Sequence, residues 1–459
     1  MPQIESANSE LEAIRSELRE EAREFSAPAS QRSKLAVATW ALRHRNFQLF
    51  FAGQLISLIG TWMDTVAESW LVYRLTGSTL LLGTVAFCSQ IPVFLCAPIG
   101  GIVADRYNRH RIVIATQATS MVLAFILAIL TLTHRVQVWH IMVLAACLGV
   151  VNAFDIPARQ AFLIDMVGRE DLLNAIALNS SMFNGARIIG PAVAGIVVAA
   201  VGEGWCFMAN SLSYIAVIAG LLMMKLHRHE KPVRETSPMQ DVIEGFRFVK
   251  NTGPIRAILL LLGLVSLVGM PYAVLMPVFA AQILHGGAKA LGLLMGATGV
   301  GALMGAASLA ARVGVKGLGK LIALAAGGFG CALIAFSFSR IFLLSLLLLM
   351  PVGFCMMVQM AASNTLVQSM VPDSMRGRVM SVYSMMFMGM APFGGFFAGA
   401  IAHRIGAPYT VALGGLACIG GAVLFGMNLP AIRGKARELI LPQNMTAGAP
   451  AQEVTRQGA

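Results

Sequence analysis

The sequence predicts an all-α membrane protein with twelve transmembrane helices in two pseudo-symmetric six-helix bundles. Three observations carry this. The chain has 459 residues, of which 57% are apolar and only 12% charged, a composition outside that of soluble globular domains. Twelve apolar runs can be marked, each near the ~20 helical residues that cross a hydrocarbon core. One gapless offset of 204 residues also relates the two halves. It superposes Gly101 on Gly305, Met166-Val167 on Met370-Val371, Ser180 on Ser384 and Met182-Phe183 on Met386-Phe387. It also lays Gly185 on Gly389, Gly195 on Gly399 and Gly202 on Gly406. An offset sustained from Gly101 to Gly202 implies duplication of a six-helix unit, and such repeats place a binding site at their interface. Chance agreement between glycine-rich segments is the alternative.

In order, the runs cover 47–73, 79–103, 112–133, 138–157, 172–200 and 205–225, then 256–284, 291–311, 319–338, 341–368, 379–402 and 408–428. Residues 1–40 form an N-terminal arm, 41–226 the first bundle, 227–255 a central linker, 256–428 the second bundle and 429–459 a tail. In the arm, Leu11, Ile14, Leu18, Ala22 and Phe25 recur at helical spacing, with Glu12/Arg15 and Glu20/Arg23 at i,i+3. This predicts a short amphipathic helix, either docked on the protein or membrane surface or, the simpler alternative, solvated and partly frayed. The linker carries Pro232 and Pro238 among basic residues, and its stretch from Asp241 to Lys250 reads as a further helix.

The net charge of +12 invites a polyanion partner, but its distribution assigns it to topology. With the N-terminus inside, five of the 34 Lys and Arg (Arg74, Arg135, Lys289, Arg340, Arg404) fall outside and Arg187 falls within a span. All the others are cytoplasmic, as the positive-inside rule requires. Both termini are then cytoplasmic, the partners are the lipid bilayer and a small-molecule substrate, no nucleic acid is expected, and the chain is read as a monomer. The first ~35 residues are polar and lack the apolar core of a secretory signal. The seven cysteines have no CxxC or zinc-ligand spacing, so they read as small hydrophobes and no metal site is expected. Met356, Met357, Met360, Met385, Met386, Met388 and Met390 supply adaptable packing; a copper path would need Cys or His pairs that are not there.

Ionisable groups in hydrocarbon are costly and therefore candidates for function. In the first run Gln54, Ser57, Thr61, Asp64 and Glu68 follow at steps of 3, 4, 3 and 4, one polar stripe on one helix face. Two carboxylates a turn apart repel and resist ionisation, which suits proton coupling; solvation of Glu68 near the surface is the plainer alternative. Arg187 in the fifth run follows Ser180 and Asn184 on one face. It needs either an aqueous cavity or an acid, with Asp64, Glu68 and Asp155 the acids available. A structural ion pair and a substrate role stay equally open. Arg187 hints at an anionic substrate and Asp64 with Glu68 at a cationic one. Deep charge is absent from runs seven to twelve, where Tyr272, Gln359, Ser363 and Asn364 are the main polar groups; with Asn152 they are read as lining a mostly apolar substrate cavity.

Between the second and third runs lies Gly101-Ile-Val-Ala-Asp105-Arg106-Tyr-Asn-Arg109-His-Arg111, led by Gly100. By itself it reads as a basic cytoplasmic turn in which the helix can end on its glycines. The string resembles the loop between helices 2 and 3 of the major facilitator superfamily. Gly101, Asp105, Arg106, Arg109 and Arg111 fit, and Asn108 stands where glycine is common, a replacement that the tolerance of Asn for positive φ allows. The resemblance implies a cytoplasmic latch in which Asp105 and Arg109 engage Asp155 at the end of the fourth run. Gly185, Gly190, Pro191 and Gly195 resemble the Gly-Pro motif of helix 5 in the superfamily's drug antiporters. Phe154-Asp155-Ile-Pro157-Ala-Arg159-Gln-Ala-Phe162, with Leu42–Phe51 and Trp70–Ser78, resembles the branch holding the enterobactin exporter and the macrolide-type efflux pumps. The resemblance implies a proton-coupled exporter of small organic molecules (a siderophore, a drug or another amphipathic metabolite) in a bacterial inner membrane. It implies no cofactor beyond the proton gradient. Lysophospholipid flipping and a non-transporting receptor of the same fold are the alternatives. An enzyme is not expected, since no nucleotide loop, HExxH or nucleophile elbow is visible.

Overall fold

The computed structural model describes residues 40–168, 170–224, 238–312, 314–430 and 434. The amphipathic helix expected in the arm, the first part of the linker and most of the tail lie outside the described residues. Twelve helices among the described residues are long and apolar enough to cross a membrane. In the first half these are α1 (Arg45–Thr76), α2 (Thr79–Arg106), α3 (Arg109–Leu132), α4 (Val138–Val167), α5 (Leu172–Val201) and α6 (Glu203–Leu222). A shorter helix, α7 (Pro238–Asn251), precedes the second half. There follow α8 (Gly253–Ile283), α9 (Gly287–Ala310), α10 (Leu318–Phe338), α11 (Phe342–Met370), α12 (Asp373–Ile405) and α13 (Ala407–Met427). The end of the molecule holding the α2–α3 turn is called the basic end below, and the opposite one the far end.

That turn is tighter than its composition suggests. α2 does not stop at its glycines but runs to Arg106, and α3 starts at Arg109. Asn108 is not left-handed: its φ is −71°, and its side chain accepts a 3.3 Å hydrogen bond from the Arg111 amide as the N-cap of α3. An Asn in this extended geometry satisfies one of the orphan N–H groups of the helix start. Gly100 serves packing instead, since a Cβ there would lie 2.0 Å from the Ala153 carbonyl of α4, whereas one at Gly101 would meet nothing within 4 Å. The fourth span also outlasts its apolar run. α4 passes through Pro157 and continues to Val167, because a proline kinks a helix without always ending it once tertiary packing holds both sides.

The offset between halves reappears in backbone geometry. Gly202 and Gly406 join the fifth helix to the sixth in each half, with φ of 90° and 89°, a region in which a side chain is strained. Gly195 and Gly399, one turn or two earlier, sit where each half meets the other. A Cβ at Gly195 would lie 3.2 Å from the Gly292 Cα of α9, and one at Gly399 would lie 3.0 Å from the Gly83 Cα of α2. The Thr79 hydroxyl donates to the Gly399 carbonyl at 3.0 Å. Two glycine seams, α5 on α9 and α2 on α12, thus join the halves. Small residues suit this role, because helices in lipid associate by close backbone approach rather than by the hydrophobic effect.

The seams run from the far end to Gly299, which abuts the Arg187 carbonyl, and to Gly389, which abuts Phe94. Nearer the basic end, the opening stretch of α12 (Asp373–Met388) packs mainly on α7 and α8 of its own half. The halves therefore diverge toward the basic end. α8 is widened into π turns at Val265–Gly269 and Phe279–Ile283, each beside a proline (Pro271, Pro277) that lacks the N–H for a regular ladder. The first π turn presents the Leu267 and Val268 carbonyls to Gly394 of α12 and Gly414 of α13, and it delivers Tyr272 to the junction of the halves.

The segment ahead of each half is tied to that half's fifth helix at the basic end. Arg43 and His44 reach Asp171, the N-cap of α5, at 2.8 and 2.6 Å. Arg378 of α12 reaches Asp241 and Glu244 of α7 at 2.7 and 2.6 Å. The hydrogen bond from His44, followed by those from Arg43, holds the Asp171 carboxyl below its ordinary value of 3.8 against the opposing effect of burial. A lowered folded-state value means that the contribution to stability is complete above the unfolded value and fades as pH falls through the folded one.

Two outcomes follow for thermal unfolding in detergent. Gly100→Ala should cost about 1–3 kcal/mol, since a backbone carbonyl cannot give way, while Gly101→Ala should be neutral or stabilising by up to ~1 kcal/mol. Asp171→Asn should lower the melting temperature at neutral pH, and the gap to the parent protein should shrink as pH drops below 3.8.

Candidate functional site

Arg187 stands where α1, α5 and α8 meet. Its guanidinium lies over the Trp62 ring of α1, 5.8 Å from the centroid, within the range of a cation–π contact. Gly190 makes this approach possible, because a Cβ there would lie 2.4 Å from that of Trp62. Phe183 packs edge-on against the same indole at 5.7 Å. From the second half the buried Tyr272 stands within electrostatic reach of Arg187, with Thr298 as its hydrogen-bonding neighbour and Phe329 edge-on at 6.2 Å. Arg187 has no ion-pair partner among the described residues.

The three acids available to Arg187 in the sequence lie elsewhere. Trp62 and Asp64 are two residues apart on α1 and so project to nearly opposite sides, about 160° apart. Asp64 turns to α6, where its neighbour is Asn210, brought close by Gly60. Glu68, half-buried, follows one turn later on the side of Asp64. Asp155 is 3% exposed, accepts hydrogen bonds from Thr116 (2.8 Å) and Gln117 (3.0 Å) of α3, and pairs with Arg159 at 3.2 Å. Gln54, Ser57, Asp64, Gln117, Asp155 and Asn210 are all buried, so the first half encloses a polar column within hydrocarbon. Four buried oxygens in it have no hydrogen-bond partner among the described residues: Gln54 Oε1, Asp64 Oδ1, Gln117 Oε1 and Asn210 Oδ1. Groups of this kind are normally satisfied by internal water.

The latch residues are also rearranged. Arg109 donates to the Ala104 and Ala161 carbonyls and meets Asp165 at 3.3 Å; Asp105 stands 3.8 Å away. Asp155 is ten residues back along α4, or about 15 Å, too far to join. Asp165 holds the position given to Asp155, since α4 runs past Pro157. Asp105 and Arg106 are exposed, and Gly101 has open space around it. Of the α5 motif, Gly190 faces α1, Pro191 and Gly195 face α9, and Gly185 touches nothing within 4 Å.

The residues expected to line a substrate cavity do not form one group. Tyr272 belongs to the Arg187 cluster. Gln359 and Ser363 of α11 are fully buried in the second half, each with an unsatisfied side-chain atom. Asn364 accepts from Gln368, Asn184 donates to the Ser180 carbonyl at 2.8 Å, and Asn152 is half-buried. Trp62, Asn210 and Asp165 belong to these arrangements and escaped the sequence reading. Asp165 carried a usable signal, a second acid on α4 beyond the proline. Trp62 and Asn210 carried none without knowing which helices touch.

With this geometry in view, the comparisons are direct. The sequence matches the family described as "Transmembrane secretion effector" over residues 37–456. It is 26% identical to the staphyloferrin A transporter of Staphylococcus aureus, over 81% of this chain and 93% of that protein. It is 24% identical to the enterobactin exporter EntS of Citrobacter koseri, over 89% and 96%. Among solved structures, the nucleoside transporter NupG superposes with a TM-score of 0.64 at 13% identity, over 83% of this chain and 98% of that one. The family and these relatives are membrane transporters rather than enzymes. The chain belongs to the transmembrane secretion effector family of the major facilitator superfamily and is a multi-pass membrane protein.

The Arg109–Asp165 pairing is testable by charge exchange. Arg109→Asp should lower thermal stability by at least about 1 kcal/mol, because it breaks both the part-exposed pair and the bonds to the Ala104 and Ala161 carbonyls. Adding Asp165→Arg should recover the ion-pair share of the loss, and adding Asp155→Arg should recover none of it.

Proposed function

We propose that this transporter exports small organic molecules across a bacterial inner membrane, driven by protons moving inward, with the two halves rocking about the Arg187 junction. In this reading both termini and the basic end face the cytoplasm, following the positive-inside distribution of Lys and Arg. Glycine seams at the far end and divergence at the basic end then correspond to an inward-facing state. The driving force is the proton gradient with no cofactor, and the functional unit is one chain in the lipid bilayer.

The observation that carries the reading is the buried column of the first half. Asp64 sits in it with an unsatisfied carboxylate oxygen, and the second half holds no matching acid among its buried residues. A carboxyl in hydrocarbon exchanges protons only if water reaches it, and the unpaired oxygens from Gln54 to Asp64 outline such a route. Export, and a siderophore as cargo, are supported by the names of the staphyloferrin A and enterobactin relatives. A lipid headgroup would need a lateral opening that no observation favours.

The test is gradient-driven flux in proteoliposomes. Asp64→Asn should reduce flux driven by an imposed pH gradient at least ~10-fold, the scale on which a required proton carrier acts, and leave substrate counter-exchange in place. Flux indifferent to both Asp64→Asn and a protonophore would sink proton coupling. In cells, loss of the protein should raise accumulation of a preloaded siderophore, and an unchanged level would sink the assigned cargo.

A further inference from the structure

We infer that the transported molecule carries a carboxylate and that Arg187 receives it, with Trp62 and Tyr272 as its flanking surfaces. This rests on the transporter reading above and narrows its substrate class. The sequence leaves the sign of the cargo open, because Arg187 suits an anion while Asp64 and Glu68 suit a cation. The structure separates them. Asp64 is closed between α1 and α6, and Glu68 lies on its side of the helix. Arg187 lies on the other side, at the junction of the halves.

Three features of Arg187 point to a ligand. No hydrogen bond or ion pair to it is formed among the described residues, so its five N–H donors and its charge lack a protein partner. Arg187 is half-buried between membrane-crossing helices, where an uncompensated charge is unfavourable, and with the three candidate acids engaged or turned away an anionic ligand is the counter-charge the site can take. The Trp62 ring takes up the cation at 5.8 Å without using any of its N–H donors. A guanidinium can meet an aromatic ring and bind an oxyanion bidentately at the same time, a combination lysine cannot supply. The place also suits cargo. Gly195–Gly292 and Gly83–Gly399 close it toward the far end, while the divergence of α12 leaves it open toward the basic end. Tyr272 comes from the other half, so a ligand held between Arg187 and Tyr272 would sense their relative position.

The experiment uses the full chain in detergent and three matched probes: 2-naphthoate, its neutral amide and 2-naphthylmethylammonium, titrated by calorimetry. The expected result is preference for naphthoate, with Arg187→Gln weakening it about ten- to a hundredfold, as for loss of hydrogen bonds to a charged group. Arg187→Lys should fall between, and the amide and ammonium should not respond to either change. Trp62→Leu should weaken naphthoate several-fold and serves as the second variant if Arg187→Gln does not fold, judged by its melting temperature. Absence of a carboxylate preference, including no binding of any probe, or equal binding by a folded Arg187→Gln protein, overturns the inference. Reconstitution separates this failure from that of the function. Arg187-dependent binding without pH-driven flux would sink the export reading and keep the anion site; proton-driven flux without carboxylate preference would do the reverse.

Discussion

An unpaired guanidinium at the junction of two membrane-embedded halves is the constraint around which this molecule is arranged. A charge held between membrane-crossing helices without a partner is costly, and the half-buried Arg187 has no carboxylate to offset it. The surroundings lower that cost in part: the Trp62 face takes up the cation, Tyr272 offers a polar neighbour, and Gly190 and Gly299 let α1 and α9 approach closely enough to shield the helix around it. What remains uncompensated is the N–H edge. A structural arginine would have that edge satisfied, as Arg109 and Arg159 do at the basic end.

Glycines let the two halves meet closely around such a site. Each seam has backbone against backbone at its centre, Gly195 on Gly292 and Gly399 on Gly83, as suits helices that associate in lipid. Side chains cross the seams as well: Phe87 of α2 packs against Phe393 and Phe396 of α12 at 5.8 and 5.7 Å, and Ile188 of α5 meets Gly299 of α9. Within each half the core interdigitates large side chains such as Phe47, Phe162 and Phe207 in the first and Phe279, Phe329 and Phe336 in the second.

Much of the fold was legible in the sequence because hydrocarbon imposes a length and a polarity that survive any tertiary detail. The helix count came from apolar runs, and the duplication from glycines whose backbone demands, a φ near 90° at Gly202 and Gly406, admit few substitutes. Boundaries were less legible. Pro157 and the Gly100–Gly101 pair read as stops, yet both lie inside helices, because proline and glycine are punctuation only where no neighbouring helix overrides them. The pairing of charges was least legible. Helical spacing grouped Asp64 with Glu68, but it holds no information on which helix lies across from them, and Arg109 chose Asp165 over Asp155 for the same reason.

The separation of Asp64 from Arg187 also bears on how a proton and a cargo would be linked in the proposed function. In a shared site, cargo and proton would compete directly through charge. Here Trp62 and Asp64 are two positions apart on opposite sides of α1, so the helix itself connects them. Tilting or rotating α1 to follow Arg187 and its ligand would move Asp64 against Asn210 and the column behind it, and changing the charge of Asp64 would alter how tightly α1 packs on α6 at Gly60. Coupling of this kind would need no contact between the two ions; it would need a stiff element between them, and α1, unbroken from Arg45 to Thr76, lies between Arg187 of α5 and its own Asp64.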